Sequence, residues 1–225
     1  MDKKKQALIS RRNVLKVGAL AAGALAVGMF PYRGAKTVKA EMDQEAPIDP
    51  NQIGFMFNQE LCIGCQSCVK ACKKANNWDE GTHWRRVLQV KGQFRYLSIS
   101  CNHCEHPACL AVCPVTAYSK RAKDGIVIHD ASKCVGCKYC VYACPYHTPQ
   151  YSEATGKISK CHFCYQRQDQ GEKPACTSSC PTKALSFGKL ADLRKNAGGT
   201  AELKGLPSAD VTEPSWIIIP DGKEG

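Results

Sequence analysis

Cys62-Ile63-Gly64-Cys65-Gln66-Ser67-Cys68-Val69-Lys70-Ala71-Cys72 places four thiols in eleven residues. The chain of 225 residues holds sixteen cysteines, far above ordinary usage, so most of them must be disulfides, metal ligands or both. They divide without remainder into four quartets. The first is Cys62, Cys65, Cys68 and Cys72, spaced C-x2-C-x2-C-x3-C; the second is Cys101, Cys104, Cys109 and Cys113, spaced C-x2-C-x4-C-x3-C-P. The third is Cys134, Cys137, Cys140 and Cys144, C-x2-C-x2-C-x3-C-P, and the fourth is Cys161, Cys164, Cys176 and Cys180, C-x2-C-x11-C-x3-C-P.

Spacing chooses among the chemistries. The first and third quartets match the run in which one short loop curls around three corners of a [4Fe-4S] cube while the fourth cysteine reaches a neighbouring cube. Pro114, Pro145 and Pro181 lack an N–H and push the preceding cysteine out of the helical region, so the chain should turn there. Cys72 is followed by Lys73, and that corner should be built differently. The fourth quartet alone could pass for a zinc ribbon. A disulfide framework would suit an even count in an exported chain, but it has no use for the repeated C-x2-C or for the cysteine-proline pairs. Iron-sulfur clusters are therefore the reading of the spacing. Cys101-x-His103 and Cys104-x-His106 resemble overlapping Rieske boxes, which a complete thiolate quartet makes unnecessary. His103, His106, His129, His147 and His162 are read as structural or hydrogen-bonding neighbours of clusters rather than ligands.

Residues 1–40 read as an export signal. Ser10-Arg11-Arg12-Asn13-Val14-Leu15-Lys16 resembles a twin-arginine motif with valine at the usual phenylalanine position. An Ala/Gly-rich apolar run from Val17 to Phe30 follows, and Val38-Lys39-Ala40 offers a small-x-small cleavage site. The run of fourteen residues is shorter than the ~20 a membrane span needs. Twin-arginine export carries folded protein, so thiols can be committed to a cofactor before they meet an oxidising compartment. The expected location is the periplasm or the outer face of the cytoplasmic membrane. Of 31 basic and 20 acidic residues, 9 and 1 lie in residues 1–40, which leaves the mature chain at +3. Four cubes with thiolate corners would each add about two negative charges, so a nucleic-acid partner is not expected.

Between the quartets, Trp84 to Val90 and Gln93 to Ser100 read as a hairpin turning at Lys91-Gly92. Ala117 to Lys120 should pair with Ile126-Val127-Ile128, and Gln150-Tyr151-Ser152 with Lys157-Ile158-Ser159. Leu190 to Arg194 is helix-like; Trp216 to Ile219 is either an edge strand or a docking segment for a partner. The apolar core is small for the length, so the clusters should supply much of the folding free energy.

The quartets in this order, with N-H-C-E-H-P-A-C at 102, D-G-I-V-I at 124, A-C-P-Y at 143, K-P-A-C at 173 and the S-W-I-I-I-P ending, resemble the iron-sulfur subunits of the dimethyl sulfoxide reductase family of molybdopterin oxidoreductases. The resemblance runs from about Gly54 to Pro220. It implies an α+β fold of two ferredoxin-like modules with inserted β-hairpins and a C-terminal extension. Motifs one and four would form one module, two and three the other. Residues 1–40 are then the signal, 41–53 a linker, 54–188 the four-cluster domain and 189–225 the extension. The implied ligand sets are Cys62, Cys65, Cys68 and Cys180; Cys72, Cys161, Cys164 and Cys176; Cys101, Cys104, Cys109 and Cys144; and Cys113, Cys134, Cys137 and Cys140. Some relatives put tryptophan at one corner and hold a three-iron cluster; every corner here is cysteine, so four [4Fe-4S] clusters are implied.

The implied role is an electron relay, without catalysis of its own, between an integral quinol-oxidising membrane anchor and a molybdopterin catalytic subunit. A signal on this subunit departs from some well-known members. It leaves open a polysulfide, thiosulfate, tetrathionate or nitrite pathway in place of dimethyl sulfoxide reduction. A zinc-stapled interaction module is the competing class. No glycine-rich phosphate loop, flavin signature or Ser/His/Asp constellation suggests a substrate pocket. Lys70, Lys133, Lys138 and Lys160 sit beside cysteines, where positive charge would favour a reduced cluster.

Overall fold

The computed structural model describes residues 49–90 and 95–222. The expected signal at 1–40, residues 41–48 of the linker and the Lys91-Gly92 turn lie outside the described residues. Among the described residues no helix is long and apolar enough to cross a membrane.

The core is organised around β1 (Ile53–Asn58), whose Phe55 and Phe57 share one face and are buried. β1 was not anticipated from the sequence: Ile-Gly-Phe-Met-Phe-Asn mixes apolar residues with a glycine, and only its neighbours show that both its edges are paired. On one side lies β8 (Leu185–Lys189), antiparallel, with Phe55 opposite Phe187. On the other lies β9 (Trp216–Ile219), parallel, with Phe55 opposite Trp216. The sheet order is β8-β1-β9. Parallel pairing needs a long crossover, and the whole of the remaining fold lies between β1 and β9. Trp216, Ile217 and Ile218 are buried, so this run is an edge strand of the core sheet, and Thr200 bridges its outer side.

The three expected hairpins are present. β2 (Arg85–Val90) pairs with β3 (Arg95–Ser100), β4 (Tyr118–Lys120) with β5 (Val127–His129), and β6 (Gln150–Ser152) with β7 (Lys157–Ser159), all antiparallel. Five short helices carry or adjoin cysteines: α1 (Ser67–Asn76), α2 (Ala108–Ala111), α3 (Tyr139–Ala143), α4 (Tyr165–Asp169) and α5 (Ala175–Ser178). A sixth, α6 (Leu190–Asn196), packs on β1 and β8. Helix α1 packs against α5 and α2 against α3, so the first motif meets the fourth and the second meets the third.

The segment after Lys189 is bound into this core. The Arg194 guanidinium meets the Glu105 carboxylate at 2.8 Å, the Ser215 hydroxyl donates to the His103 carbonyl at 2.9 Å, and Trp216 Nε1 donates to the Ala201 carbonyl at 2.9 Å. At the other end Gln52 is fully buried, and its Nε2 donates to the carbonyls of Ile53, His103 and Gly125.

Candidate metal centre

The four C-x-x-C loops share one backbone device. In each, the residue before the second cysteine is left-handed: Gly64 (φ 70°), His103 (φ 47°), Gly136 (φ 70°) and Phe163 (φ 58°). The turn brings that residue's N–H to the first thiol. Gly136 N–H donates to Cys134 Sγ at 3.4 Å, Phe163 N–H to Cys161 Sγ at 3.4 Å, and Gly64 N–H to the Cys62 thiol. Donors curled around a sulfur make the kind of anion-holding concavity that successive backbone N–H groups form. Glycine is required at 136 for a second reason: a Cβ there would lie 2.2 Å from the Gly156 carbonyl oxygen in the β6–β7 turn. Gly136→Ala is expected to cost about 1–2 kcal/mol from the left-handed backbone alone, plus the displacement of that turn. Thermal unfolding followed by circular dichroism should show a lowered midpoint.

The fourth cysteine of three quartets is set by a second repeated turn. After Cys113-Pro114, Cys144-Pro145 and Cys180-Pro181 the chain reaches left-handed Thr116 (φ 48°), His147 (φ 50°) and Lys183 (φ 56°). Their N–H groups return to the cysteine carbonyls at 3.3, 3.1 and 3.3 Å. Proline at the second position pre-sets such a turn. At Cys72 the different corner is an uninterrupted helix: α1 carries both Cys68 and Cys72 and runs on to Asn76, where Asn77 caps it with φ 42°. Asn76 Nδ2 then lies 3.5 Å from Cys72 Sγ and 3.8 Å from Cys164 Sγ, a side-chain bridge from the first motif to the fourth.

The thiols gather across motifs. Cys62, Cys65, Cys68 and Cys180 line one cavity, with Phe57, Val87 and Leu185 among its apolar walls. Cys101, Cys104, Cys109 and Cys144 line another. The Cys72 thiol lies in the field of Cys161, Cys176 and Cys164. Cys113 packs on the same small apolar cluster as Cys134 and Cys140, and Cys140 is in the field of Cys134 and Cys137. A further cavity, lined by Thr200, the Glu202–Ser208 stretch and Pro220, has no thiol in its lining; its Glu202 carboxylate is engaged by the Ser208 hydroxyl and the Ala209 N–H.

Burial raises seven of these thiols, pushing Cys104 and Cys161 up to about 12 and raising Cys62, Cys72, Cys109, Cys140 and Cys176 as well. Exposed Cys65 is the contrast: the Ser67 hydroxyl holds it below the ordinary thiol value. Ligating thiolates are deprotonated, so filling these sites with metal releases protons. The second cavity is also rich in donors without acceptors. Asn102 Nδ2, His103 Nε2, Tyr146 OH and Thr212 Oγ1 belong to residues lining it, and none is in good hydrogen-bond geometry with a protein partner. His103 Nδ1 accepts the Val127 N–H at 3.1 Å, which puts the imidazole proton on Nε2. Four thiols around one space, with Asn102 Nδ2 and His103 Nε2 unanswered and the Thr212 hydroxyl beside Cys104, suit an anionic cluster bearing sulfide. Among the described residues no three Cys, His, Asp or Glu side chains converge as a single-ion site would require.

Comparison with known proteins bears directly on this arrangement. Residues 92–190 match the model of a 4Fe-4S dicluster domain and residues 55–74 that of a 4Fe-4S binding domain. The protein is 42% identical over 184 residues to the B subunit of the anaerobic dimethyl sulfoxide reductase of Escherichia coli (strain K12), covering 76% of its own length and 89% of that subunit's. It belongs to the iron-sulfur subunits of the dimethyl sulfoxide reductase family. Similarity extends to the thiosulfate reductase electron transfer subunit PhsB of Salmonella typhi, 43% identical over 150 residues (62% and 77% of the two proteins). It reaches the hydrogenase-2 operon protein HybA of Escherichia coli O157:H7 at 33% over 243 residues (93% and 71%).

In this iron-sulfur subunit three of the histidines are seen in packing or ionic contacts. His162 lies edge-on to Trp84 and Tyr165, His129 packs on Tyr118, and His106 lies 3.5 Å from Glu213. Of the four lysines, Lys70 and Lys133 are exposed, Lys138 Nζ sits 3.7 Å above the Tyr151 ring, and Lys160 is buried, its ammonium donating to the Val127 and Cys161 carbonyls. The sequence reading missed Asn76, Thr212 and Arg85. Thr212 comes from the extension and Asn76 from past a quartet's end, so spacing carries no sign of either.

Proposed function

We propose that the chain is a four-cluster electron relay, passing electrons from a quinol-oxidising membrane anchor to a molybdopterin catalytic subunit. The observation that carries this reading is the exchange of cysteines between motifs. Each of the two thiol-lined cavities takes three cysteines from one motif and the fourth from another, Cys180 in one and Cys144 in the other. The ligand sets are Cys62, Cys65, Cys68 and Cys180; Cys72, Cys161, Cys164 and Cys176; Cys101, Cys104, Cys109 and Cys144; and Cys113, Cys134, Cys137 and Cys140. Each binds one [4Fe-4S] cluster, which supplies one-electron oxidation and reduction. Packing of α1 on α5 and of α2 on α3 supports two ferredoxin-like modules.

The protein's own part is to hold the thiols, keep water away and space the sets closely, since electron tunnelling falls steeply with distance. Cys161 and Cys101, from the second and third sets, lie within each other's field, which supports a continuous path between the modules. Two thiols are exposed, Cys65 and Cys137, and each has exposed apolar neighbours: Ile63 for the first, Val135, Tyr139 and Tyr142 for the second. In this reading Cys137 lies toward the anchor and Cys65 toward the catalytic subunit. Similarity to both a dimethyl sulfoxide and a thiosulfate reductase subunit supports a sulfur-compound reductase as the complex served. The twin-arginine segment supports assembly before export to the periplasmic side.

Used as bait under anaerobic conditions, the mature chain should retain a large molybdopterin subunit and an integral membrane subunit. Recovery of cluster-loaded chain with neither would overturn the relay.

A further inference from the structure

Arg85, the first residue of β2, has 2% of its surface exposed, and no carboxylate among the described residues pairs with it. A buried cation without a counter-ion is strongly unfavourable, so something anionic must answer it. The β2–β3 register puts Ser100 directly opposite Arg85 and Ser98 two residues along on the same face. Arg85 Nη1 donates to Ser98 Oγ at 3.0 Å and Nη2 to Ser100 Oγ at 2.8 Å. The guanidinium lies 4.7 Å from the centre of the Phe55 ring, and its Nε has no partner. Two hydroxyls and a ring orient the charge but do not neutralise it.

With clusters bound, ligating thiolates supply the negative charge. The groups acting on the Arg85 charge are Cys176, Cys161, Cys68 and Cys72, one from the first ligand set and three from the second. Ser98 Oγ, already accepting from Arg85, lies 3.6 Å from Cys68 Sγ. A ligating thiolate can only accept, so the hydroxyl proton is directed at Cys68. The guanidinium thus reaches the first set both through space and through Ser98.

Resting on the four-cluster reading, we propose that Arg85 is a positioning residue that raises the reduction potentials of the first two clusters together, by holding one fixed positive charge between their ligands. Each cluster gains a negative charge on reduction, and a buried cation nearby favours that state. The thiols that act most strongly on it all belong to these two sets, while Ser100, next to Cys101, and His103 bring the cluster of Cys101, Cys104, Cys109 and Cys144 within its weaker field.

The test is a redox titration of the anaerobically purified mature chain, monitored by electron paramagnetic resonance, for wild type, Arg85→Gln, Arg85→Lys and Ser98→Ala. Arg85→Gln should make reduction of two clusters about tenfold less favourable, a downward shift of about 59 mV each, and shift the other two by clearly less. Arg85→Lys should restore most of that shift. Ser98→Ala should lower only the cluster bearing Cys68. Iron and sulfide counts on wild type test the four-cluster reading separately. A full complement with no shift in Arg85→Gln, or an equal shift in all four clusters, overturns the role of Arg85 alone. If Arg85→Gln does not load, the other two variants decide; loss of clusters in all three would make the residue purely structural and overturn the proposal.

Discussion

Cys72→Ala is expected to damage the cluster held by Cys161, Cys164 and Cys176 and to leave the one held by Cys62, Cys65 and Cys68 intact, although Cys72 belongs to the first motif in sequence. The reason is the helix. Cys68 and Cys72 are one turn apart on α1, but Cys68 lines the cavity with Cys62, Cys65 and Cys180, whereas Cys72 answers to Cys161, Cys176 and Cys164. Asn76, one turn further, holds Cys72 and Cys164 to the same side chain. Alanine cannot ligate, so the affected cube should lose at least the iron at that corner, or about four irons if it disassembles. In electron paramagnetic resonance the spectrum of Cys72→Ala should therefore change as that of Cys161→Ala does, and differently from that of Cys62→Ala. A Cys72→Ala spectrum matching Cys62→Ala would mean that each motif closes on its own cluster.

The second large effect is expected at Phe163, between the first two cysteines of the fourth motif. Its ring is 1% exposed and stacks on Phe55 of the central strand, with centroids 3.9 Å apart and planes within 4°. His103 and Phe187 pack at 5.1 and 6.2 Å. One side chain thus ties the core sheet to loops of the second and fourth motifs. Phe163→Ala should cost about 3–5 kcal/mol, a large part of the roughly 5–15 kcal/mol by which a domain is stable. The left-handed backbone at 163 would remain strained in alanine, so Phe163→Gly should be less damaging than its lost propensity suggests. Urea unfolding, followed by tryptophan fluorescence and visible absorbance, should show the midpoint fall in both variants. An unchanged midpoint would mean that the stack contributes nothing to stability.

Much of this was legible in the chain because cysteine spacing and turn residues act locally. The β4–β5 and β6–β7 hairpins followed from the short runs expected to pair, Ala117 to Lys120 with Ile126 to Ile128 and Gln150 to Ser152 with Lys157 to Ser159, and the cysteine-proline pairs marked turns. The exceptional corner at Cys72 was visible as a missing proline, but its form was not. That an uninterrupted helix and Asn76 replace the turn depends on where α5 packs. The left-handed backbone at Phe163 was invisible because a bulky aromatic residue does not favour that conformation, and at His103, a type enriched there, the signal was too weak to stand out; the loop imposes it on both, and only the two glycines at equivalent positions hinted at it. β1 was not recognisable without its neighbours, and β9, legible as a candidate edge strand, needed β1 to give it a place in a sheet. Arg85 was hidden most completely, since an arginine beside Arg86 at a strand start reads as a solvated pair, and only the serines across the hairpin show that it points inward.

The central claim is that sixteen thiols hold four inorganic cubes. Iron and acid-labile sulfide in the anaerobically purified mature chain, counted with electron paramagnetic resonance before and after dithionite, test it most directly. About sixteen of each per chain and signals from interacting reduced clusters are expected. Colourless protein with stoichiometric zinc and no paramagnetic iron after reduction would contradict it.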